Sequence, residues 1–461
     1  MKDKNQVFVV SLAITIIMAI WAVAFNANFT VVSNSAYSFL TNNFGWLYLM
    51  AMTAFVIFSV AIAFSKWGKI KLGPDDSKPE YSTVSWFAML FGAGMGVGLV
   101  FWGISEPLAH FSNPIPGIEA GTEAAANFAI RSSYMHWGLH PWANYCIIGL
   151  GLAYFQFRKG KPGLISSIFE PLIGEKGING WAGKTIDVLA VFATVAGVVT
   201  SLGLGVMQIN AGLNYLFGIP TTLVIQIIII AVISVIYIWS AVDGISRGIK
   251  IISDANLYIA IGLITVTFLV GPKLEILNNL TNGLGQYLQN FFGDSLMINN
   301  YGDNTWVGAW RVFYWAWWIA WAPFVGSFIA RISKGRTIRE FIAGVVLAPA
   351  LGSILWFAIM GSLGLHLGMD GTLSVAQLAD IASKPETGLF IVMGKYPLGM
   401  ILCVVSLILL CTFFITSANS GTFVLAMFSS KGDLNPKNGR KVLWGVVQSL
   451  LAVGLLVAGG L

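Results

Sequence analysis

Long apolar stretches recur along the whole 461-residue chain, and eleven of them are long enough to cross a lipid bilayer. They lie at roughly 7–28, 45–64, 83–104, 134–155, 186–207, 221–242, 252–271, 307–330, 341–363, 398–427 and 442–461. Only 10% of the residues are charged, far fewer than in a soluble domain. A membrane β-barrel would need an alternating pattern that this sequence lacks. The sequence therefore predicts an all-α polytopic membrane protein with eleven spans.

Basic residues alternate between the segments that join these stretches. With the N-terminus in the cytoplasm, 21 of the 26 lysines and arginines fall in inside segments and 5 in outside segments. Because cytoplasmic loops are enriched in basic residues, we expect a cell-membrane protein with a cytoplasmic N-terminus. The first stretch, with Ala22-Val23-Ala24, has a cleaved signal peptide as its alternative. Eleven spans place the end of the chain outside and predict that a twelfth span is missing.

Aromatic residues cluster inside one apolar stretch, as YWAWWIAWAPF at 314–324. On a helix, Tyr314, Trp317, Trp318 and Trp321 share an arc of about 100°. The proline that follows them predicts a helix break. Tryptophan and tyrosine faces bind cations whose charge is spread over methyl groups, so the cluster favours a site for such a cation. The alternative is an interfacial aromatic belt, although belts lie at helix ends and this cluster is central.

A second aromatic group lies in the fourth stretch. Trp137, Trp142 and Tyr145 fall within an arc of about 140° and can supply the facing wall of an aromatic box. His136 and His140 lie among them. Their spacing fits a proton relay, a metal pair or structural hydrogen bonding, and the last of these is favoured because no third metal ligand is near.

Alternating glycines form GAGMGVG at 92–98, in the middle of the third stretch. Each glycine weakens a helix by about 1 kcal/mol. Helices unwound at mid-membrane bind substrate and ion in many secondary transporters, so the pattern favours an unwound segment. Close helix packing through small residues is the alternative, but it explains a spacing of four better than a spacing of two.

The interrupted third and eighth stretches are five spans apart, which fits a five-helix unit repeated in inverted orientation. The predicted organisation is two peripheral helices at 1–82, a first repeat at 83–272 and an incomplete second repeat at 307–461. The linker 273–306 begins with an amphipathic helix on the outer surface. No serine-histidine-acid or paired-carboxylate arrangement indicates an enzyme, and the scattered basic residues do not indicate nucleic-acid binding.

These motifs make the chain resemble the betaine/carnitine/choline transporter family along nearly its whole length. The marks are GMGVG at 94–98, HWGLHPW at 136–142, YWAWWIAWAPFVG at 314–326 and RISKGRTIRE at 331–340. The resemblance implies a leucine-transporter-like fold of two inverted five-helix repeats after two extra helices, in a homotrimer. It also implies transport of quaternary-ammonium solutes such as glycine betaine, carnitine or choline.

The resemblance assigns residues to the substrate site and to sodium, with no other cofactor. The substrate site would comprise Trp137, Trp142, Tyr145, Trp317, Trp318, Trp321, Gly94, Met95, Gly96 and Gly98. A first sodium site would use carbonyls of Gly92, Met95 and Phe413 and hydroxyls of Thr416 and Ser417. A second would use Thr194 and Phe324, but Val198 stands where sodium-coupled members have a threonine.

We therefore expect a sodium-coupled importer of a quaternary-ammonium osmolyte, in the first place glycine betaine, embedded in lipid. The alternative is a carnitine, choline or dimethylsulfoniopropionate carrier that is proton-coupled or an exchanger. A channel or receptor-like membrane protein that binds the same cation without concentrating it is a third reading of the same residues.

Overall fold

The computed structural model describes residues 6–94, 96–243 and 250–457, and within these ranges the chain forms helices and no named β-strand. Nine helices there are long and apolar enough to cross a membrane. The helices Thr83–Gly92 and Gly96–Ser112, which lie at 63° to each other, make a tenth crossing if the two together form one broken span. The all-α membrane fold is therefore confirmed.

The predicted fourth span, 134–155, is not one continuous helix. Two helices of 15 residues each, Glu123–Trp137 and Leu139–Ala153, meet at Gly138. A helix of this length spans about 22 Å, less than the bilayer core. The break explains why nine or ten crossings are counted in the described ranges where the hydropathy of the sequence predicts eleven.

The first half of the chain contains both long and interrupted helices. They are α1 Gln6–Ala24, α2 Asn26–Phe64, α3 Thr83–Gly94, α4 Gly96–Ser112, α5 Glu123–Trp137, α6 Leu139–Ala153, α7 Ile165–Ile168, α8 Glu170–Asn179, α9 Trp181–Phe217, α10 Leu223–Asp243 and α11 Lys250–Val270. Local sequence sets several ends. The Thr122 side chain accepts from Ala125 N–H to cap α5, and Gly218, at φ 69°, ends α9 in the left-handed conformation.

The second half of the chain also contains both long and short helices. It contains α12 Lys273–Gln289, α13 Phe291–Ser295, α14 Phe313–Ile332, α15 Ile338–Ile342, α16 Ala348–Met369, α17 Val375–Ser383, α18 Pro385–Met393, α19 Gly399–Phe428 and α20 Asn438–Val457. The predicted amphipathic helix is present as α12, which buries Ile276, Gly283 and Tyr287 on one face. The boundaries of the predicted repeats stay a prediction.

The helix break predicted at Pro323 is wrong. Helix α14 continues from Phe313 to Ile332 with Pro323 inside it. A proline removes one backbone N–H and strains the preceding turn. Here most residues of α14 are buried, so packing against the neighbouring helices keeps the helix intact. The departure from α geometry comes earlier, in the π-helical segment Val307–Val312.

The RISKGRTIRE motif holds one end of the helical bundle together. Its loop pairs with the segment between α2 and α3, because Leu72 exchanges backbone hydrogen bonds of 2.8 Å with Arg336 and Gly335. The Arg336 guanidinium lies 3.9 Å from the ring centroid of Trp86, and the Trp86 indole donates to Ser333 Oγ at 2.9 Å. The motif therefore fixes the start of α3 against the end of α14.

Helices α6 and α14 carry most of the aromatic residues singled out above, and two glycines allow their close approach. A Cβ placed on Gly326 would lie 2.7 Å from the Ile148 side chain and 3.0 Å from the backbone nitrogen of Gly149. Backbone atoms cannot move aside as a flexible side chain can. Gly149 and Gly326 therefore set the distance between the two aromatic walls.

We expect Gly326→Ala to destabilise the protein by about 1–3 kcal/mol, because the added methyl group forces α6 and α14 apart. Thermal unfolding of the detergent-purified protein, followed by tryptophan fluorescence, measures the effect. Gly262→Ala is the matched control, since Gly262 is also in a spanning helix and its added Cβ meets nothing within 4 Å. Equal unfolding temperatures for the two variants would contradict the close approach.

Candidate functional site

The glycine stretch lies where one helix ends and the next begins. The helices Thr83–Gly92 and Gly96–Ser112 lie at 63° to each other, which agrees with the predicted interruption, while Met95 lies outside the described residues. A Cβ on Gly98 would lie 3.0 Å from the Trp137 ring, and a Cβ on Gly96 would lie 3.0 Å from Ser417 Oγ. The start of α4 thus touches both the aromatic residues and the predicted sodium ligands.

The six predicted aromatic residues form one continuous cluster between α5, α6 and α14. Its members are Trp137, Trp142, Tyr145, Trp317, Trp318 and Trp321. Trp318 is at the centre: its ring centroid lies 5.0 Å from that of Trp137, 4.8 Å from Trp317 and 6.3 Å from Tyr145. Rings at these distances are in mutual contact. Trp137 and Trp318 must therefore separate for a cation to lie between their faces.

Hydrogen bonds fix the orientation of the central rings. The Trp318 indole donates to the His136 carbonyl at 3.0 Å, next to the break at Gly138. The N–H that follows this break, at Leu139, donates to the Tyr287 hydroxyl at 3.1 Å. The break between α5 and α6 is thus covered by side chains from α14 and α12, and one of them is the central ring of the cluster.

Several polar atoms of the cluster have no hydrogen-bond partner among the described residues. They are the indole N–H groups of Trp142, Trp317 and Trp321 and the hydroxyl of Tyr145, and all four atoms are buried. Buried donors are normally bonded, so unpaired ones need an explanation. Ring faces that attract a cation and N–H groups that attract an anion, placed side by side, suit a zwitterion.

A cavity of about 980 Å³ lies beside the cluster. Its aromatic lining consists of Phe29, Phe101, Trp102, Trp310, Phe313, Tyr314 and Trp317, and Glu386 lies on its wall. Because Trp317 stacks on Trp318 with an angle of 12° between the rings, the cavity reaches the cluster through that ring.

Glu106 organises the back of the cluster, and sequence reasoning did not assign it a role. It is fully buried, and its Oε2 accepts from the Trp137 indole at 2.6 Å and from the Tyr314 hydroxyl at 2.5 Å. Its Oε1 lies 2.7 Å from His136 Nδ1 and 3.3 Å from His110 Nε2. A carboxylate inside a spanning helix indicates function, but Glu106 lies just beyond the predicted stretch 83–104, so hydropathy did not mark it.

The two histidines of the HWGLHPW motif have separate partners. His136 lies between Glu106 and Arg311, whereas His140 Nε2 lies 2.9 Å from Ser295 Oγ. No hydrogen bond links the two imidazoles within the described ranges. Their arrangement fits structural hydrogen bonding, the reading that the sequence favours over a proton relay or a metal pair.

The predicted ligands of the first sodium site come together between α3, α4 and α19. Thr416 Oγ1 lies 3.0 Å from the Phe413 carbonyl, and Ser417 Oγ lies 3.5 Å from the Gly92 carbonyl. Asn256 of α11, which sequence reasoning missed, donates to Thr416 Oγ1 at 3.4 Å. Neutral oxygens from carbonyls and hydroxyls are the ligands that a small hard cation prefers. Met95, the remaining predicted ligand, is outside the described residues.

The second predicted sodium site is less well formed. Thr194 donates its hydroxyl to the Ala190 carbonyl of its own helix at 2.8 Å. Phe324 is buried on α14 and packs on Trp321, while Val198 packs against the position of Gly421 on α19. Helices α9 and α14 do meet, at Gly197 and Trp321, but among the described residues no hydrogen bond joins Thr194 to Phe324.

Comparison with known proteins gives the chain a family. Residues 6–461 match the model of the betaine/carnitine/choline family of transporters. The chain is 48% identical to the glycine betaine transporter OpuD of Bacillus subtilis, over 100% of this chain and 89% of that protein. It is 46% identical to a probable glycine betaine transporter of Desulfitobacterium hafniense, over 100% of this chain and 91% of that protein.

Two further similarities are more distant. An ectoine/hydroxyectoine transporter of Virgibacillus pantothenticus is 44% identical, over 99% of this chain and 91% of that protein. The solved structure of MhsT in complex with L-phenylalanine is 15% identical, with a TM-score of 0.45 over 82% of this chain and 80% of that chain. Given the family match and the relatives covered nearly end to end, the chain belongs to the betaine/carnitine/choline transporter family and is a membrane transporter, not an enzyme.

Proposed function

We propose that this protein imports a methylated zwitterionic osmolyte, glycine betaine in the first place, together with sodium. The observation that carries the proposal is the buried aromatic cluster, in which ring faces lie beside unpaired N–H and O–H donors. A trimethylammonium group has no N–H to donate, so hydrogen bonds cannot hold it. Ring faces can, and each desolvated contact is worth about 2 kcal/mol.

The strength of binding follows from this geometry. Three ring contacts give on the order of 6 kcal/mol before ordering costs. The unpaired indole N–H groups of Trp142 and Trp321 and the Tyr145 hydroxyl can add bonds to a carboxylate. Separating the contacting rings costs part of this gain. The sum of these gains and costs fits a dissociation constant between millimolar and micromolar, which corresponds to a binding free energy of roughly −4 to −8 kcal/mol.

The same donors separate the candidate substrates. Glycine betaine, carnitine and dimethylsulfoniopropionate each carry a carboxylate beside a methylated cation, whereas choline would leave the donors unpaired. The relative that is named an ectoine/hydroxyectoine transporter makes ectoine a second candidate. Its cation carries N–H groups, so it would also need acceptors, and a competition assay of ectoine against labelled glycine betaine distinguishes the two.

Sodium coupling is supported by the oxygen ligands gathered around Thr416 and Ser417. They lie on α19 beside the interruption between α3 and α4, an arrangement in which broken helices bind coupling ions. At the second site Val198 offers no hydroxyl, so we propose a stoichiometry closer to one sodium ion than to two. Proton coupling or exchange is the alternative that a sodium-free uptake measurement would reveal.

We further propose that the N-terminus is cytoplasmic and that the cavity opens to the outside. The residues Ser383, Pro385 and Glu386 on its wall belong to a segment that the charge distribution places outside. This orientation suits import. The homotrimer stays a prediction from the family resemblance. Concentrative uptake into proteoliposomes, driven by an imposed sodium gradient, separates a transporter of this kind from a channel or receptor-like protein.

Replacing the central ring tests the substrate assignment. We expect Trp318→Leu, which keeps an apolar side chain and removes the π-face, to weaken glycine betaine binding roughly tenfold or more, about 1.4 kcal/mol. Trp318→Phe should retain part of the affinity. Calorimetric titration of the purified variants measures it. Trp315→Leu is the control, because Trp315 is equally buried but stacks on His140 and not on the cluster. Unchanged betaine affinity in Trp318→Leu would show that the cluster is packing alone.

Removing one hydroxyl tests the sodium site. We expect Thr416→Ala to raise the sodium concentration for half-maximal uptake roughly tenfold, because one oxygen ligand is lost. Thr412→Ala is the matched control, since its hydroxyl lies one turn earlier on α19 and bonds to carbonyls of its own helix. Uptake in proteoliposomes over a range of sodium concentrations gives the result. Equal uptake in sodium and potassium buffers would refute sodium coupling itself.

Labelling from outside tests the orientation. Cysteines introduced at the exposed positions Lys78 and Lys437 should be protected from a membrane-impermeant thiol reagent in intact cells, because both lie in predicted inside segments. Lys395→Cys, in a predicted outside segment, should be labelled. The unmodified protein gives the background from its three native cysteines. Reversal of this pattern would invert the proposed topology.

A further inference from the structure

The hydrogen-bond partners of Glu106 define its charge state. Arg311 Nε can only donate, and it lies 3.2 Å from His136 Nε2, which must therefore accept. The proton of His136 is then on Nδ1, and it is donated to Glu106 Oε1. The Trp137 indole, which can only donate, points at Oε2. Donors thus face both oxygens, as an ionised carboxylate requires.

The charges around Glu106 do not cancel its own by direct contact. His136 separates Glu106 from Arg311, whose guanidinium also donates to the Asp294 carbonyl. Asp294 in turn pairs with Arg131 at 2.9 Å. His110 lies at the other side of Oε1, and its Nδ1 has no partner among the described residues. The Trp137 indole and the Tyr314 hydroxyl are the other donors to the Glu106 carboxylate.

A metal ion could instead be bound by Glu106, His110 and His136, because these three side chains each have a ligand atom within 4.8 Å of the others. Two features argue against it. The nitrogen of His136 that faces Glu106 carries the proton, so it is a donor and not a ligand. The Arg311 cation bonded to the same imidazole would repel a second cation in this buried place. The cluster is instead arranged to hold a carboxylate.

We propose that Glu106 is the positioning and specificity-determining residue of the cation site. It fixes the Trp137 and Tyr314 rings through their N–H and O–H groups. A carboxylate that accepts from an indole N–H or a phenol O–H also increases the electron density on the ring, and this strengthens the attraction of the ring face for a cation. Glu106 thereby favours a methylated cation over an uncharged group of the same shape. The inference rests on the proposed betaine-type substrate.

Two ligands of equal shape measure this effect. In tert-butylacetate a carbon atom replaces the nitrogen of glycine betaine, so the methyl groups and the carboxylate remain and the positive charge is absent. We expect the parent protein to prefer glycine betaine. Glu106→Gln should weaken the binding of glycine betaine roughly tenfold or more, and it should change the affinity for tert-butylacetate by less than roughly threefold. A role in structure alone would weaken both ligands by the same factor.

Two further variants complete the test. Glu106→Asp keeps the charge but shortens the side chain, so it should weaken both ligands and retain most of the preference for glycine betaine. It also serves if the glutamine variant does not fold. Asp187→Asn is the matched control, because Asp187 is a buried carboxylate that bonds Ser166, on α7, and not the aromatic cluster. It should leave the ratio of the two affinities unchanged.

The outcomes are distinct. The proposal is supported if Glu106→Gln lowers the ratio of the affinity for glycine betaine to the affinity for tert-butylacetate, and if Glu106→Asp leaves most of that ratio intact. An unchanged ratio in Glu106→Gln, or an equal fall in the aspartate variant, would overturn it, as would a parent protein that binds glycine betaine without preferring it to tert-butylacetate. A parent protein that binds neither ligand would refute the proposed function, and with it this inference.

Discussion

A helix that is interrupted inside a membrane exposes backbone N–H and C=O groups where no water can bond with them. In this protein, side chains from neighbouring helices cover those groups. The Trp318 indole bonds the His136 carbonyl before the break at Gly138, and the Tyr287 hydroxyl bonds the Leu139 N–H after it. The hydrogen bond that covers the His136 carbonyl at the helix break therefore also fixes the orientation of the Trp318 ring, which lies at the centre of the candidate site.

The same constraint acts at the glycine stretch and beyond it. Ser417 Oγ approaches the Gly92 carbonyl, and the Trp356 indole donates to the Leu99 carbonyl at 3.0 Å in the first turn of α4. The small residue at Gly96 lets α4 approach α19 closely, since a Cβ there would lie 3.0 Å from Ser417 Oγ. The glycine stretch at 92–98 thus contributes to the helix interruption, to the ligands of the proposed ion site and to the close packing of α4.

Sequence alone predicted the features that depend on local pattern. Hydropathy gave most of the spanning helices, and helical spacing placed Trp317, Trp318 and Trp321 on one cluster-forming face. The break at Pro323 was predicted wrongly, because the local penalty of proline is outweighed by packing that the sequence does not display. Glu106 was not assigned a role, since its partners, among them Tyr314, come from helices distant in sequence and meet only in the fold.

Helix α4 joins the two halves of the proposed mechanism. A Cβ on Gly98 would lie 3.0 Å from the Trp137 ring, and a Cβ on Gly96 would lie 3.0 Å from Ser417 Oγ, so one turn of α4 packs closely against both side chains. In a close-packed interior, a displacement of either neighbour acts on this turn of α4. A cation that separates the aromatic rings and an ion held by the Ser417 hydroxyl would then act on the same turn of helix. Coupling between two sites that share one element is reciprocal, so each ligand must favour the arrangement that the other binds best.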